Sequence, residues 1–269
     1  MSKKKSGRQR PKQRKKKAED KLMVDANADD LIILVIGATG AGKSKFINDY
    51  LRTTVAQVGD EHELKLCTRH IDWYPTRLPS ESCYAGRRLI LVDTPGFDND
   101  EIDDGEILRR IELWLAASYS NGTSLTGVLY LHDITQKRIR GPTSLKLVER
   151  LVGTGSLSTL SFITTQWDTD TVQVGEEREN ELRDTFWKDA LNGGATISRV
   201  HKTLEHPTPH FDVVENILRR HMGRQSEDSA DGNESRNSEP VGWIETIKNQ
   251  VIALFFKLAM KSKASWWLR

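Results

Sequence analysis

At 269 residues with 37% hydrophobic content, the chain is long enough for one medium domain with appendages, or at most two small ones. Forty Lys/Arg oppose 38 Asp/Glu, but residues 1–17 hold ten of the basic residues and none of the acidic ones, which leaves 30 against 38 and a body of net −8. The two cysteines, Cys67 and Cys83, exclude a disulfide framework and predict a reducing, intracellular setting, and no run approaches the ~20 apolar residues that span a bilayer.

The basic opening, "MSKKKSGRQRPKQRKKK", lacks the apolar stretch of a secretory signal. Residues 1–30 carry almost nothing to bury and are expected to form a disordered tail. Such charge suits an anionic lipid, an import receptor or a nucleic acid; the lack of interleaved aromatics argues against the last.

"LIILVI", Leu31–Ile36, reads as a fully buried strand. It runs into Gly37-Ala38-Thr39-Gly40-Ala41-Gly42-Lys43-Ser44, which fits G-x-x-x-x-G-K-[ST] at every required position. Glycines let successive N–H groups curl inward around phosphate oxygens, and the N-terminus of the helix that follows, expected over Lys43–Val55, adds its dipole. Lys43 would reach the β- and γ-phosphates, and Ser44 would offer its hydroxyl to Mg²⁺. A glycine turn that merely joins strand to helix is the alternative.

A strand is expected over His70–Thr76, preceded by Thr68, which stands where a switch loop would give a hydroxyl to Mg²⁺ and an N–H to the γ-phosphate. The next strand, Arg88–Asp93, delivers Asp93 at its carboxyl end, where a carboxylate can hold the metal. Asp93-Thr94-Pro95-Gly96 is also D-x-x-G, whose Gly96 N–H would sense the γ-phosphate; an Asp that only caps the next helix is the alternative. A helix over Glu101–Ser118 places Ile107, Leu108, Ile111 and Leu115 on one face.

Further strands are expected over Gly127–His132, Thr159–Thr165 and Ala195–Val200, and helices over Thr143–Val152, Gly175–Leu191 and His210–Met222. His132 reads as a satisfied histidine at a strand end rather than a catalytic group. The strand before "TTQWD" brings Thr165, Gln166 and Asp168 to the place where GTPases carry Asn-Lys-x-Asp. A carboxylate there accepts from the N1–H and the amine of guanine, two donors that adenine lacks; a loop Asp capping a turn is the alternative. Alternating strands and helices predict a three-layer α/β fold, a P-loop NTPase with a mostly parallel central sheet, whose ligands bind at the strand carboxyl ends.

Residues 223–240 read as a flexible linker. In 241–269, Trp243, Ile244, Ile247, Val251, Leu254, Phe255 and Leu258 share one helical face, with lysines elsewhere and Trp266–Trp267 near the end. This C-terminal amphipathic helix suits a membrane interface; folding back onto the domain is the alternative.

Together GATGAGKS, LVDTPGFD, GVLYLHDIT, TTQWD and GEERENELRDTFWKDAL resemble the septin-like, immunity-associated (GIMAP-type) GTPases, especially their fungal relatives, from Leu31 to Met222. The resemblance implies a GTPase G domain that binds GTP/GDP with Mg²⁺ and dimerises under nucleotide control. It also implies Lys43, Thr68 and Gly96 as the hydrolytic set, Ser44, Thr68 and Asp93 as metal ligands, and residues 37–45, Thr165, Gln166 and Asp168 as the nucleotide shell. Three departures stand out. Phe97 occupies the position of the glutamine that orients water in Ras-like enzymes, so hydrolysis is expected to be slow or partner-assisted. Lys45 replaces a small hydroxyl, and Gln166 replaces a stacking lysine. The expected protein is a cytoplasmic GTP-binding switch or scaffold, peripheral at a membrane or imported to the nucleus through its basic end. A non-hydrolysing assembly module and an ATP-dependent P-loop enzyme are the rivals.

Overall fold

The computed structural model describes residues 20–23, 25–58, 68–99, 101–119, 123–136, 157–167, 172–201 and 208–230. The expected helix over 143–152, the C-terminal segment 241–269 and Asp168 lie outside them. Within the described residues run β1 (Leu31–Gly37), α1 (Lys43–Leu51), β2 (Asp72–Arg77), β3 (Arg88–Asp93), α2 (Asp104–Tyr119), β4 (Ser124–Asp133) and β5 (Leu160–Thr165). There follow α3 (Val172–Glu181), α4 (Lys188–Asn192), β6 (Thr196–Arg199) and α5 (Pro209–Ala230).

The six strands form one sheet in the order β2-β3-β1-β4-β5-β6, parallel throughout except for the antiparallel edge pair β2–β3. Every residue of β1 is buried, as its unbroken apolar run requires of a central strand with helices on both faces. Alternate side chains feed two cores. Ile32, Leu34 and Ile36 meet Ile107, Ile111 and Trp114 of α2, whereas Leu31, Ile33 and Val35 meet Phe46 and Ile47 of α1 and Val214, Ile217 and Leu218 of α5. The three-layer expectation holds.

Where the elements differ from the sequence pattern, local bonds explain it. Helix α1 stops at Leu51 rather than Val55, because Arg52 turns left-handed (φ 54°) and the Asn48 side chain takes the amides of Val55 and Ala56 at 2.9 and 2.8 Å. The single helix expected over Gly175–Leu191 is broken by a π turn, Leu182–Phe186. That turn lets both Leu182 and Trp187 face the core, where the Trp187 ring stacks on Phe162 at 4.4 Å. Helix α5 runs on to Ala230, eight residues into the stretch expected to be a linker.

The largest departure is at the N-terminal side. Residues 20–23 and 25–30, expected within a disordered tail, pack against the sheet edge and α2. Met23 is buried in the core, the Lys21 amide donates to Ile71 O (3.0 Å), and Trp114 Nε1 donates to Lys21 O (2.8 Å). Arg88 pairs with Asp25 at 2.8 Å and Asp30 at 3.6 Å. The low apolar content of this strap hid its anchors, which are one methionine and a row of acids matched to arginines. Among the described residues, no helix is long and apolar enough to cross a membrane.

His132, 7% exposed, meets the Trp187 ring edge-on at 5.7 Å, as expected of a structural histidine. Burial pushes its imidazole down to about 4, against a smaller opposing pull from Asp133. The folded state therefore binds this proton less readily than the unfolded chain. Stability is fully present above the ordinary histidine range and is lost as pH falls from about 6.5 towards 4, on the order of 3 kcal/mol from this group. Comparing urea unfolding of wild type and His132→Gln between pH 7 and 4 should show a flatter acid limb for the variant.

Candidate functional site

The site forms where β1, β3 and β5 end. Gly37 closes β1 at φ 142°, and a Cβ there would stand 2.2 Å from Leu131 O, so only glycine lets the loop leave the sheet. The loop turns through Gly40 (φ 82°) and Gly42 (φ 85°) into the N-terminus of α1. Lys43 arches back over it, and its Nζ donates to Gly37 O at 3.1 Å and Ala38 O at 2.9 Å. Burial lowers the Lys43 ammonium to about 8, with Asp93 pulling in the opposite sense.

Ser44, Thr68 and Asp93, assigned to the metal from sequence, come together. Ser44 Oγ donates to Asp93 Oδ2 at 2.7 Å and lies 3.1 Å from Thr68 Oγ1, which is 3.5 Å from the same carboxylate oxygen. Asp93 is 1% exposed, and its Oδ1 is buried with no hydrogen-bond partner among the described residues. Burial pushes this carboxyl up, against the bond from Ser44 and the charge of Lys43. Two hydroxyls and a carboxylate with an unshared oxygen are the hard donors that Mg²⁺ accepts, so these residues fit the ion.

The segment after Asp93 is stitched to the loop. Thr94 Oγ1 donates to Val35 O at 2.9 Å, Phe97 N donates to Gly37 O at 3.1 Å, and Thr39 N donates to Phe97 O at 2.9 Å. The Thr39 hydroxyl also reaches Phe97 O, at 3.3 Å. Gly96 lies against Thr39 so closely that a Cβ would stand 2.7 Å from its amide nitrogen. The Phe97 ring is 1% exposed and belongs to the α2-side core, so it offers the site only its backbone.

On the far side, Thr165 is buried, and its hydroxyl is spent on the carbonyls of Ala41 (3.0 Å) and His132 (3.2 Å). These bonds hold the end of β5 to the phosphate loop. Gln166 is exposed at φ 63° and lines, with Gly42, Lys45, Val200 and His210, a cleft of about 750 Å³. Trp167 is buried with Nε1 donating to Thr164 O at 3.2 Å, and Arg199 lies 4.3 Å over its ring. Lys45, assigned to the nucleotide shell from sequence, pairs with Asp49 at 2.9 Å, and Asp49 lies 3.4 Å from His210. Sequence reasoning found the loop and the oxygen cluster; it missed the Thr165–Ala41 bond, which nothing in a one-dimensional pattern signals.

Comparison with known proteins agrees with this geometry. Residues 32–147 match the family described as 50S ribosome-binding GTPase. Toc33 from Arabidopsis thaliana with Mg²⁺ and GMPPNP is similar at TM-score 0.57 and 13% identity, over 72% of this chain and 85% of that one. A dimerization-deficient Toc33 variant gives 0.57 at 12% over the same shares. Era from Aquifex aeolicus bound to GDP and AlF4⁻ gives 0.50 at 16%, over 71% of this chain and 57% of Era.

The Gly96–Thr39 contact is steric and testable. Gly96→Ala should force the two segments apart, since backbone cannot yield as a side-chain tip does. Amide exchange at Thr39 and Phe97 should then accelerate at least about tenfold, with β4 and β5 unaffected. The phosphate loop, the oxygen cluster beside it and the sheet order together give this domain the P-loop GTPase fold.

Proposed function

We propose that the protein is a septin-like, GIMAP-type GTP-binding switch that holds GTP or GDP with Mg²⁺, hydrolyses GTP slowly and pairs with a second copy according to the nucleotide bound. The observation that carries this reading is the meeting of Ser44, Thr68 and the half-satisfied Asp93 carboxylate beside the phosphate loop. Mg²⁺ held there would neutralise charge on the β- and γ-phosphates. Lys43 and the loop amides bind the phosphates, the Gly96 amide reads the third phosphate, and Asp168 accepts from the guanine edge.

The buried Phe97 ring supports slow hydrolysis, because no side chain at that position can orient water. Pairing gains support from the similar fold of Toc33, a protein whose dimerization is important for its GTPase activity. We place the protein in the cytoplasm, with 241–269 as its tether to a membrane surface and the basic end as an import signal. Era, of which this chain spans 57%, has been captured with 16S ribosomal RNA, but the basic end here lacks the aromatics that stack on bases.

Competition binding of GTP and ATP tests the base assignment. GTP should bind more tightly, and Asp168→Asn should cost GTP about 100-fold, or some 3 kcal/mol, by replacing the acceptor of two donors. Equal binding of ATP with an indifferent Asp168→Asn would sink the guanine reading. Single-turnover hydrolysis with excess protein tests the rest. A rate that climbs with protein concentration supports the dimer-activated enzyme, and no phosphate release leaves the non-hydrolysing assembly module.

A further inference from the structure

We infer that Asp20 and Arg110 form a clamp that positions Thr68 for the metal, although neither touches the phosphate loop. This rests on the reading of Thr68 as a Mg²⁺ ligand given above. Sheet pairing of β2 begins only at Asp72, opposite Asp93, so the ladder holds nothing between Thr68 and Ile71. Yet Thr68 must reach Ser44 and Asp93 with its hydroxyl.

The missing restraint comes from the strap and α2. Asp20 Oδ1 accepts from Ile71 N at 2.8 Å, and the Lys21 amide donates to Ile71 O at 3.0 Å, so both polar groups of that peptide unit's residue are held. Arg110 Nε donates to Asp20 Oδ2 at 2.8 Å, its Nη2 bonds Asp20 Oδ1, and the same Nη2 donates to Arg69 O at 3.0 Å. The carbonyl next to Thr68 and the amide three residues on are thereby fixed through one carboxylate–guanidinium pair. A bidentate pair of this kind fixes orientation as well as distance.

The chemistry of the pair suits a fixed part. Burial raises the Asp20 carboxyl, but the bonds from Arg110 and the Ile71 amide outweigh it and hold it below the usual carboxylate range. Ile71 is itself fully buried, which gives the clamp a hard stop beneath it. Arg110 lies on the helix that follows the Asp93–Phe97 segment, and Arg69 pairs with Glu101 at 3.0 Å on the approach to that helix. The clamp thus ties the residues behind Thr68 to the element behind Gly96. Asp20 and Arg110 are positioning residues, acting through the backbone of 69–71.

The test uses the full chain and reads the Mg²⁺ concentration that half-retains a fluorescent non-hydrolysable GTP analogue, beside affinity for the same analogue in EDTA. Asp20→Ala should raise the half-retaining Mg²⁺ about tenfold, Thr68→Ala at least as much, and the double variant no more than Thr68→Ala alone. EDTA affinity should stay at the wild-type value for Asp20→Ala. Arg110→Lys keeps the charge but not the fork, and should fall between wild type and Asp20→Ala. Amide exchange at residues 68–71 without nucleotide should rise in Asp20→Ala, a readout independent of the metal. If Thr68→Ala shifts the Mg²⁺ dependence and Asp20→Ala does not, or if the two effects add, the clamp is refuted. If Thr68→Ala itself shifts nothing, the metal reading of Thr68 falls and takes the clamp's purpose with it. A lowered melting temperature with unchanged Mg²⁺ dependence would make the strap a plain structural brace and refute the inference.

Discussion

The register between β1 and β3 is the constraint on which the site depends. Val35 sits opposite Asp93 in parallel pairing, so the strand that launches the phosphate loop and the strand that ends in the carboxylate stop at the same level. Parallel neighbours bring their carboxyl ends to one edge, where chain leaving both strands must share a crevice. A one-residue slip would turn Asp93 into the core and an apolar neighbour towards Ser44. The contacts around the loop, from the Thr94–Val35 bond to the Ala38–Phe97 bridge, inherit that alignment.

The same crevice carries an electrostatic load. Lys43 and Asp93 are both buried, and burial moves each towards its neutral form while their mutual attraction resists. Buried charges are tolerated where bonds satisfy them, and here the loop carbonyls, Ser44 and Thr68 supply those bonds. Phosphate oxygens and a hard cation are the species that complement both groups together. The polar cluster is therefore selective by its own cost: few other ligands satisfy a buried ammonium and a buried carboxylate side by side.

What could be read from the sequence followed from periodicity and from motifs with fixed spacing. β3 falls over Arg88–Asp93 as expected, and the apolar run of β1 and the one-sided stripe of α2 are found where their patterns put them. The phosphate-loop motif and the three oxygen-bearing residues Ser44, Thr68 and Asp93 were singled out by type and spacing, and the structure brings those three together. Long-range single bonds were not legible. Asp20 meets partners 51 and 90 residues away, and Thr165 reaches 124 residues back to Ala41. The π turn was hidden as well, because Leu182 and Trp187 are compatible with helical spacing until the core fixes where Trp187 must stack. The Lys45–Asp49 pair, one helical turn apart on α1, is by contrast the kind of local contact that spacing does signal.

The strap also changes what counts as the edge of the sheet. Among the described residues β2 is the outermost strand on its side, and an edge strand carries a row of backbone groups that its own sheet leaves unpaired. Such rows invite pairing with another chain and end in aggregation unless something blunts them. Here Pro75 removes one donor from the strand, and Lys21 occupies the carbonyl of Ile71 just before it. A domain boundary drawn at Leu31 would uncover that backbone and strip Arg88 of both its acidic partners. Residues that carry almost no hydrophobic signal thus cover part of the sheet edge.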